Sequence, residues 1–378
     1  MSTQTTGISH SADAAKLRPA RLPAPRDGEP ALTAPAPAHP APGPAPQPTP
    51  GSAPGSAPAS ASQGGFRDAF QGGPELRPGT GAGPARRRPR FGHISFLNCL
   101  PLYWGLAKTG SLIDLDVTRA SPEVLSAALA QGRLDVSAIS LLEFLRHADD
   151  LVVLPDIAVG SLGDVRSCLI LSKLPLEELD GAPVALGSAS RTSVRLAQLL
   201  LAERVGVRPV YHTTPPDLTA MLREHQAAVL IGDVALHAAL HQAPALGLHV
   251  HDLSGMWREW TGLPFVFAVF AARKEFAARE PRLLHRVHQD LLEARDLSLQ
   301  EIDLICEQTA EWETFDSDTL RDYYVHALDF SFGPRHLAAV TEFARLTGGP
   351  GAGFPADVRV DVLGTAPDPA AGPARDLR

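Results

Sequence analysis

Cysteine is scarce in this 378-residue chain: three thiols, Cys99, Cys168 and Cys306, odd in number and far apart. That excludes a disulfide framework and any C-x-x-C metal or redox pair, and it predicts a reducing compartment. Long apolar runs are also missing. No stretch reaches the roughly 20 apolar residues of a membrane span, and no signal-peptide-like run opens the chain or follows Arg86–Arg88. A cytoplasmic protein without membrane contact is the expectation. Basic charge is thin outside the N-terminal region. The first 90 residues carry ten basic and five acidic side chains, so the net −8 of the whole becomes −13 for the remainder. An acidic folded region argues against nucleic-acid binding, and any anionic ligand must be held by local donors. Phosphate loops ending in Gly-Lys-Ser/Thr and Gly-x-Ser-x-Gly elbows are absent. His237 and His241 stand at i,i+4, but no adjacent Glu or third ligand accompanies them. No metal and no cofactor are expected.

Proline, glycine and alanine are abundant, and they are concentrated at the ends. Residues 1–89 are dominated by Ala, Pro, Gly, Ser and Gln, with too little apolar surface to offset the entropy of ordering them. A disordered, solvated tail is expected there, and a disordered C-terminus over residues 364–378.

From Arg90 the pattern changes to strand alternating with helix. Phe91–Phe96 reads as a strand, Leu100–Thr109 as a helix stopped by Gly110, and Leu115–Thr118 as a second strand. Ser121 then caps a helix with Pro122 at its first position. Leu134–Ile139 and Leu141–His147 continue the rhythm. It returns after Pro175: strands at Pro183–Leu186, Pro209–Tyr211 and Ala228–Ile231 alternate with helices at Thr192–Val205, Leu218–Glu224 and Ala235–Leu240. Such alternation implies mostly parallel sheets covered on both faces. The apolar runs Cys168–Leu171 and Phe265–Ala271 read as two strands crossing between lobes. Helices near Pro281–Leu297, Glu301–Trp312, Ser317–Ala327 and Pro334–Leu346 complete the first lobe. The expected architecture is α/β: a two-lobed, type II periplasmic-binding-protein-like fold with two crossover strands and a ligand cleft between lobes. Lobe 1 is expected over 90–172 and 264–363, and lobe 2 over 173–263. Ligands in such folds bind at strand ends and helix N-termini.

Four clusters could face that cleft. Ser95-Phe96-Leu97-Asn98 ends the first strand, and Asn98 either caps the next helix or touches a ligand. Gly187-Ser188-Ala189-Ser190-Arg191-Thr192-Ser193 joins a buried strand to a long helix, where free N–H groups and clustered hydroxyls suit an anion or simply cap the helix. Ser167, beside Arg166, stands at the start of a crossover strand, as a cleft residue or a plain surface serine. Asp233 follows Gly232 at the end of an apolar strand, as a cap or a ligand contact. Trp257, Trp260 and Thr261-Gly262-Leu263-Pro264 form a cleft wall or core.

Taken together, these segments resemble chorismate dehydratase of the futalosine route to menaquinone. The resemblance rests on Gly92-His93-Ile94-Ser95-Phe96-Leu97-Asn98-Cys99-Leu100-Pro101-Leu102-Tyr103-Trp104-Gly105-Leu106, on Ala185-Leu186-Gly187-Ser188 with Ser190-Arg191-Thr192-Ser193, and on Ala228-Val229-Leu230-Ile231-Gly232-Asp233. Glu259-Trp260-Thr261-Gly262-Leu263-Pro264-Phe265-Val266-Phe267-Ala268 and Gly353-Phe354-Pro355-Ala356-Asp357-Val358 complete it. It covers nearly all of residues 90–363 and none of the tail. The resemblance implies a cofactor-independent lyase converting chorismate to 3-[(1-carboxyvinyl)oxy]benzoate and water. It implies Asn98 as the catalytic residue, with Ser140, Ser167 and the Ser188, Ser190, Arg191 and Thr192 helix start around the substrate; Ser95 and Asp233 join these as expected contacts from their own positions. Ser140 stands where relatives often carry Thr, and no role carries over to Arg166. None of the strongest motifs offers an evident His, Glu or Lys base, so the substrate's own enolpyruvyl carboxylate is expected to take the proton. Two alternatives stay open: 1,4-dihydroxy-6-naphthoate synthase of the same pathway, whose first-strand motif has a Pro-Asn-Asp type ending, and a non-catalytic small-anion-binding protein.

Overall fold

Two sheets of one plan organise the chain, as seen in a computed structural model that describes residues 87–364 apart from Ala189. The expected disordered tail (up to residue 86) and C-terminus (from residue 365) lie outside the described residues.

The first sheet takes β1 (Arg90–Ile94), β2 (Asp116–Ala120), β3 (Val136–Ser140), β4 (Leu151–Ser161) and β10 (Phe265–Arg273), in the order β2-β1-β3-β10-β4. The second takes β5 (Cys168–Ser172), β6 (Pro183–Gly187), β7 (Val210–Thr214), β8 (Ala227–Ile231) and β9 (His249–Asp252), in the order β7-β6-β8-β5-β9. In each sheet four strands point the same way and one, β10 in the first and β5 in the second, runs antiparallel between its two neighbours. The chain passes through lobe 1, out to lobe 2 and back.

Helices follow the parallel strands. In lobe 1, α1 (Leu100–Lys108) enters through a 3₁₀ turn at Leu97–Cys99, α2 (Pro122–Ala130) follows β2, and α3 (Leu141–Arg146) follows β3. The Ser121 hydroxyl accepts the Val124 N–H, with Pro122 at the first helical position, as the sequence pattern requires. In lobe 2, α4 (Arg191–Leu199) follows β6 and runs on as a π-turn over Leu200–Val205. After it come α5 (Leu218–Glu224), α6 (Gly232–His237) and α7 (Leu253–Thr261). Lobe 1 is finished by α8 (Pro281–Gln300), α9 (Ile302–Ala310), α10 (Ser317–Asp322) and α11 (Pro334–Thr347). No described helix is long and apolar enough to cross a membrane.

One expectation is corrected, one strand was not anticipated and one open alternative is decided. Neither Cys168–Leu171 nor Phe265–Ala271 crosses between lobes: β5 lies wholly in the second sheet and β10 wholly in the first. Residues 162–167 and 262–264 make the crossings, so lobe 2 begins at Cys168 and not at 173. A strand buried on both faces reads as a continuous apolar run whichever sheet receives it. Strand β4 has no counterpart among the expected strands, because Pro155 and Asp156, the latter at φ 63, break its pattern in the middle. Of the two alternatives for Trp257, core is the one observed: fully buried on α7, it meets Phe265 and Phe343 edge-on, and its indole N–H donates to the Pro264 carbonyl at 3.0 Å.

Helices α1 and α8 pack at Gly105, where a Cβ would lie 2.0 Å from the Ala294 carbonyl oxygen. Only the missing side chain permits this approach. Gly105→Ala is expected to cost about 2–3 kcal/mol through overpacking, seen as a lower urea midpoint at unchanged slope. An unchanged midpoint would mean that the two helices separate without penalty.

Candidate active site

Five strand-to-helix junctions converge where the lobes meet. They follow β1, β2, β3, β6 and β8, and they place the starts of the Leu97 turn, α2, α3, α4 and α6 around one cavity. Its polar wall is Asn98, Ser140, Ser167, Ser190 and Ser193, with the thiols Cys99 and Cys168. Its apolar wall includes Phe96, Pro122, Ile231 and Phe267. No Lys, Arg, His, Asp or Glu is among the residues lining it. The positive field comes instead from helix N-termini: Pro122, Ser140, Ser190 and Gly232 each begin or precede a helix. Burial pushes both thiols up to about 12, so they stay neutral.

Asn98 is not a helix cap. It lies inside the 3₁₀ turn, while Phe96 and Cys99 occupy the capping positions before the turn and before α1. Its side-chain oxygen is buried and has no hydrogen-bond partner. A buried amide left unsatisfied costs stability, so the cavity is the natural source of its partner. Ser190 caps α4, its hydroxyl accepting the Ser193 N–H at 3.4 Å, and it also lines the cavity.

Other expected contacts lie elsewhere. Ser95 and Ser188 are exposed and outside the cavity wall. Thr192, fully buried, reaches across to lobe 1 and accepts the Leu142 N–H at the start of α3, at 3.0 Å. Arg191 turns to the rim, pairing with Glu123 at 3.1 Å and Glu143 at 3.3 Å, both on lobe 1. Asp233 accepts the Leu97 N–H at 3.1 Å, again across the lobes. These three residues hold the lobes together, which sequence spacing does not reveal, because it does not say which faces meet. With the lobes so joined, the cavity measures about 40 Å³, roughly the room of a single water.

Comparison with known proteins places this arrangement. Residues 89–348 match a family profile described as "Menaquinone biosynthesis". The chain belongs to this menaquinone-biosynthesis family. A chorismate dehydratase of Thermus thermophilus is 38% identical over 191 residues, covering 47% of this chain and 69% of that protein. The chorismate dehydratase of Campylobacter jejuni is 26% identical over 226 residues, covering 56% and 84%. A 1,4-dihydroxy-6-naphtoate synthase of Thermus thermophilus is 28% identical over 166 residues, covering 44% and 58%. Among solved structures, the periplasmic aliphatic sulphonate binding protein SsuA of Escherichia coli superposes with a TM-score of 0.52 at 17% identity, covering 76% of this chain and 97% of that one. That likeness speaks to the two-lobed fold.

In this menaquinone-biosynthesis protein the carboxyl next to the Asn98 turn is Asp233. Burial pushes it up to about 7, against the pull of the Leu97 N–H. An aspartate in the unfolded chain titrates near 3.9. Between those values the folded protein keeps a proton that the unfolded chain has released, so stability falls as pH rises from about 4 to about 7 and levels above that. Asp233→Asn keeps an acceptor for Leu97 and cannot ionise. Relative to the parent, the variant should gain about 2–3 kcal/mol between pH 4.5 and pH 8 in chemical unfolding. Parallel pH profiles for the two proteins would contradict a buried, proton-bearing Asp233.

Proposed function

We propose that the protein removes water from chorismate, giving 3-[(1-carboxyvinyl)oxy]benzoate, as a step of menaquinone biosynthesis. The observation that carries this reading is the 38% identity to the Thermus chorismate dehydratase over most of that protein, together with a closable cavity of neutral donors at helix starts. Chorismate carries two carboxylates. Hydroxyls and helix-terminal N–H groups can hold both without a cationic side chain.

Ser140, Ser167, Ser190 and Ser193 supply the donors for the carboxylates, and Phe96 and Phe267 are walls for the ring. Asn98 is the group that acts at the reacting atoms. Closure through Asp233, Thr192 and Arg191 expels water and fixes the reactive conformer. Three buried free thiols suit a reducing cytoplasm.

Incubation with chorismate followed by mass analysis tests the reading. Loss of 18 mass units, as expected for one water (~18), with the aromatic spectrum of a benzoate ether supports it. Chorismate bound but unchanged would favour the binding-protein alternative. Neither binding nor turnover would favour the naphthoate synthase alternative.

A further inference from the structure

Ser167 is held from behind by a clamp that spans both lobes. It is 1% exposed, ends the 162–167 crossing and borders the cavity. The residue before it, Arg166, has φ 61, a left-handed conformation that costs a non-glycine residue roughly 1 kcal/mol. Strain of this kind persists only where the surroundings over-determine it, and here they do. The Asp252 carboxylate accepts the N–H groups of Val165 at 3.1 Å and Arg166 at 2.6 Å. The Arg166 guanidinium pairs with Asp322. The Ser167 carbonyl accepts the Gly232 N–H at 2.6 Å. The Ser167 hydroxyl accepts a hydrogen bond from the Tyr323 hydroxyl at 2.8 Å.

Consecutive residues of the crossing, 166 and 167, are thus matched by consecutive residues of lobe 1, 322 and 323. Tyr323 begins a π-turn over Tyr323–Ala327 directly after α10. Such turns widen a helix and often occur at functional sites. The phenol is buried, and burial raises it well above its ordinary value, so it keeps its proton and donates. A serine hydroxyl has one proton of its own. With Tyr323 donating to its oxygen, that proton is left for the cavity, where the adjacent Cys168 sulfur is only a weak acceptor.

We propose that Tyr323 is a positioning residue that makes Ser167 a fixed hydrogen-bond donor to a substrate carboxylate, with the Arg166–Asp322 pair holding the backbone conformation this requires. The identity of the substrate rests on the dehydratase reading.

The test compares the parent protein with Ser167→Ala, Tyr323→Phe and the double variant, by kcat, KM and calorimetric Kd for chorismate. A bond to a charged group is at stake, so each single variant should raise KM about tenfold or more with kcat much less affected. The double variant should be no worse than Ser167→Ala, because Tyr323 acts through Ser167. A merely structural Tyr323 would lower the melting temperature and multiply its effect onto Ser167→Ala, and that result overturns the proposal. So does an unchanged KM in folded Tyr323→Phe. If Tyr323→Phe fails to fold, Asp322→Asn, on the exposed ion pair, takes its place. A rise in KM confined to the Ser167 background supports the clamp, and an equal rise in Ser167→Ala overturns it. Failure of the dehydratase reading shows separately, as chorismate binding without turnover in the parent. The Kd comparison then decides on Tyr323 alone, and a parent that does not bind chorismate overturns both.

Discussion

Asn98→Ala is expected to lower kcat about 10²–10³-fold, the loss seen when one preorganised amide is removed from a developing oxyanion. Asn98 is the one side-chain amide in the cavity wall, and its oxygen is buried without a partner. Burying an amide in that state brings no stability to the fold. The substitution should therefore leave the melting temperature unchanged or raise it slightly, while turnover collapses. This pairing of effects separates a catalytic role from a structural one. The four serines around it supply donors that exist before and after the reaction, so their loss should chiefly raise KM. If kcat of Asn98→Ala stays within a factor of about two while KM rises, Asn98 positions substrate and stabilises nothing particular to the transition state.

Much of this architecture is legible locally. The helix starts at Ser121-Pro122 and Ser190 follow from capping chemistry alone, and the alternation of short apolar strands with helices gives the sheet composition. What escapes local reading is pairing at a distance. Strands β5 and β10 look alike on paper, and only the registers Leu169↔Leu230 and Val269↔Ile139 assign them to different sheets. Arg191, Thr192 and Asp233 carry the signals of an anion site because they sit at helix starts. Each nevertheless spends its polar group on the facing lobe. Tyr323 lies 156 residues from its partner Ser167, in a helical stretch whose sequence looks like ordinary core. Of the expected contacts, Asn98, Ser140, Ser167 and Ser190 line the cavity and Ser95 and Ser188 do not, and the contacts between the lobes were not legible at all.

A chorismate analogue whose enolpyruvyl carboxylate is replaced by a neutral amide is expected to bind weakly and to turn over at least 10²–10⁴-fold more slowly, the usual worth of a positioned base. In chorismate the substituents at C3 and C4 are trans, so the C3 hydrogen and the C4 hydroxyl share one face and the elimination is syn. The C3–H is acidified through a ring double bond conjugated with the ring carboxylate, and donors placed around that carboxylate are expected to stabilise its developing charge. Removal of that proton leaves its electron pair to form the C3–C4 double bond, completing the aromatic ring, as hydroxide departs from C4. The proton then leaves with that hydroxide as water, so atoms and charge balance without a co-reactant. No residue lining the cavity is a suitable base: the wall offers an amide, four hydroxyls and two thiols pushed up to about 12. His93, on β1 and not among the residues lining the cavity, is pushed down to about 3 by burial and the nearby Arg119, which makes it a poor proton acceptor. Asp233 is close, but one of its oxygens is engaged by the Leu97 N–H and it is not among the residues lining the cavity. The carboxylate tethered to the C3 ether oxygen is therefore the expected base, brought close to the C3 hydrogen by the substrate itself. Efficient dehydration of the amide analogue would place the base on the protein, and Asp233→Asn would then be expected to abolish turnover of chorismate and analogue alike.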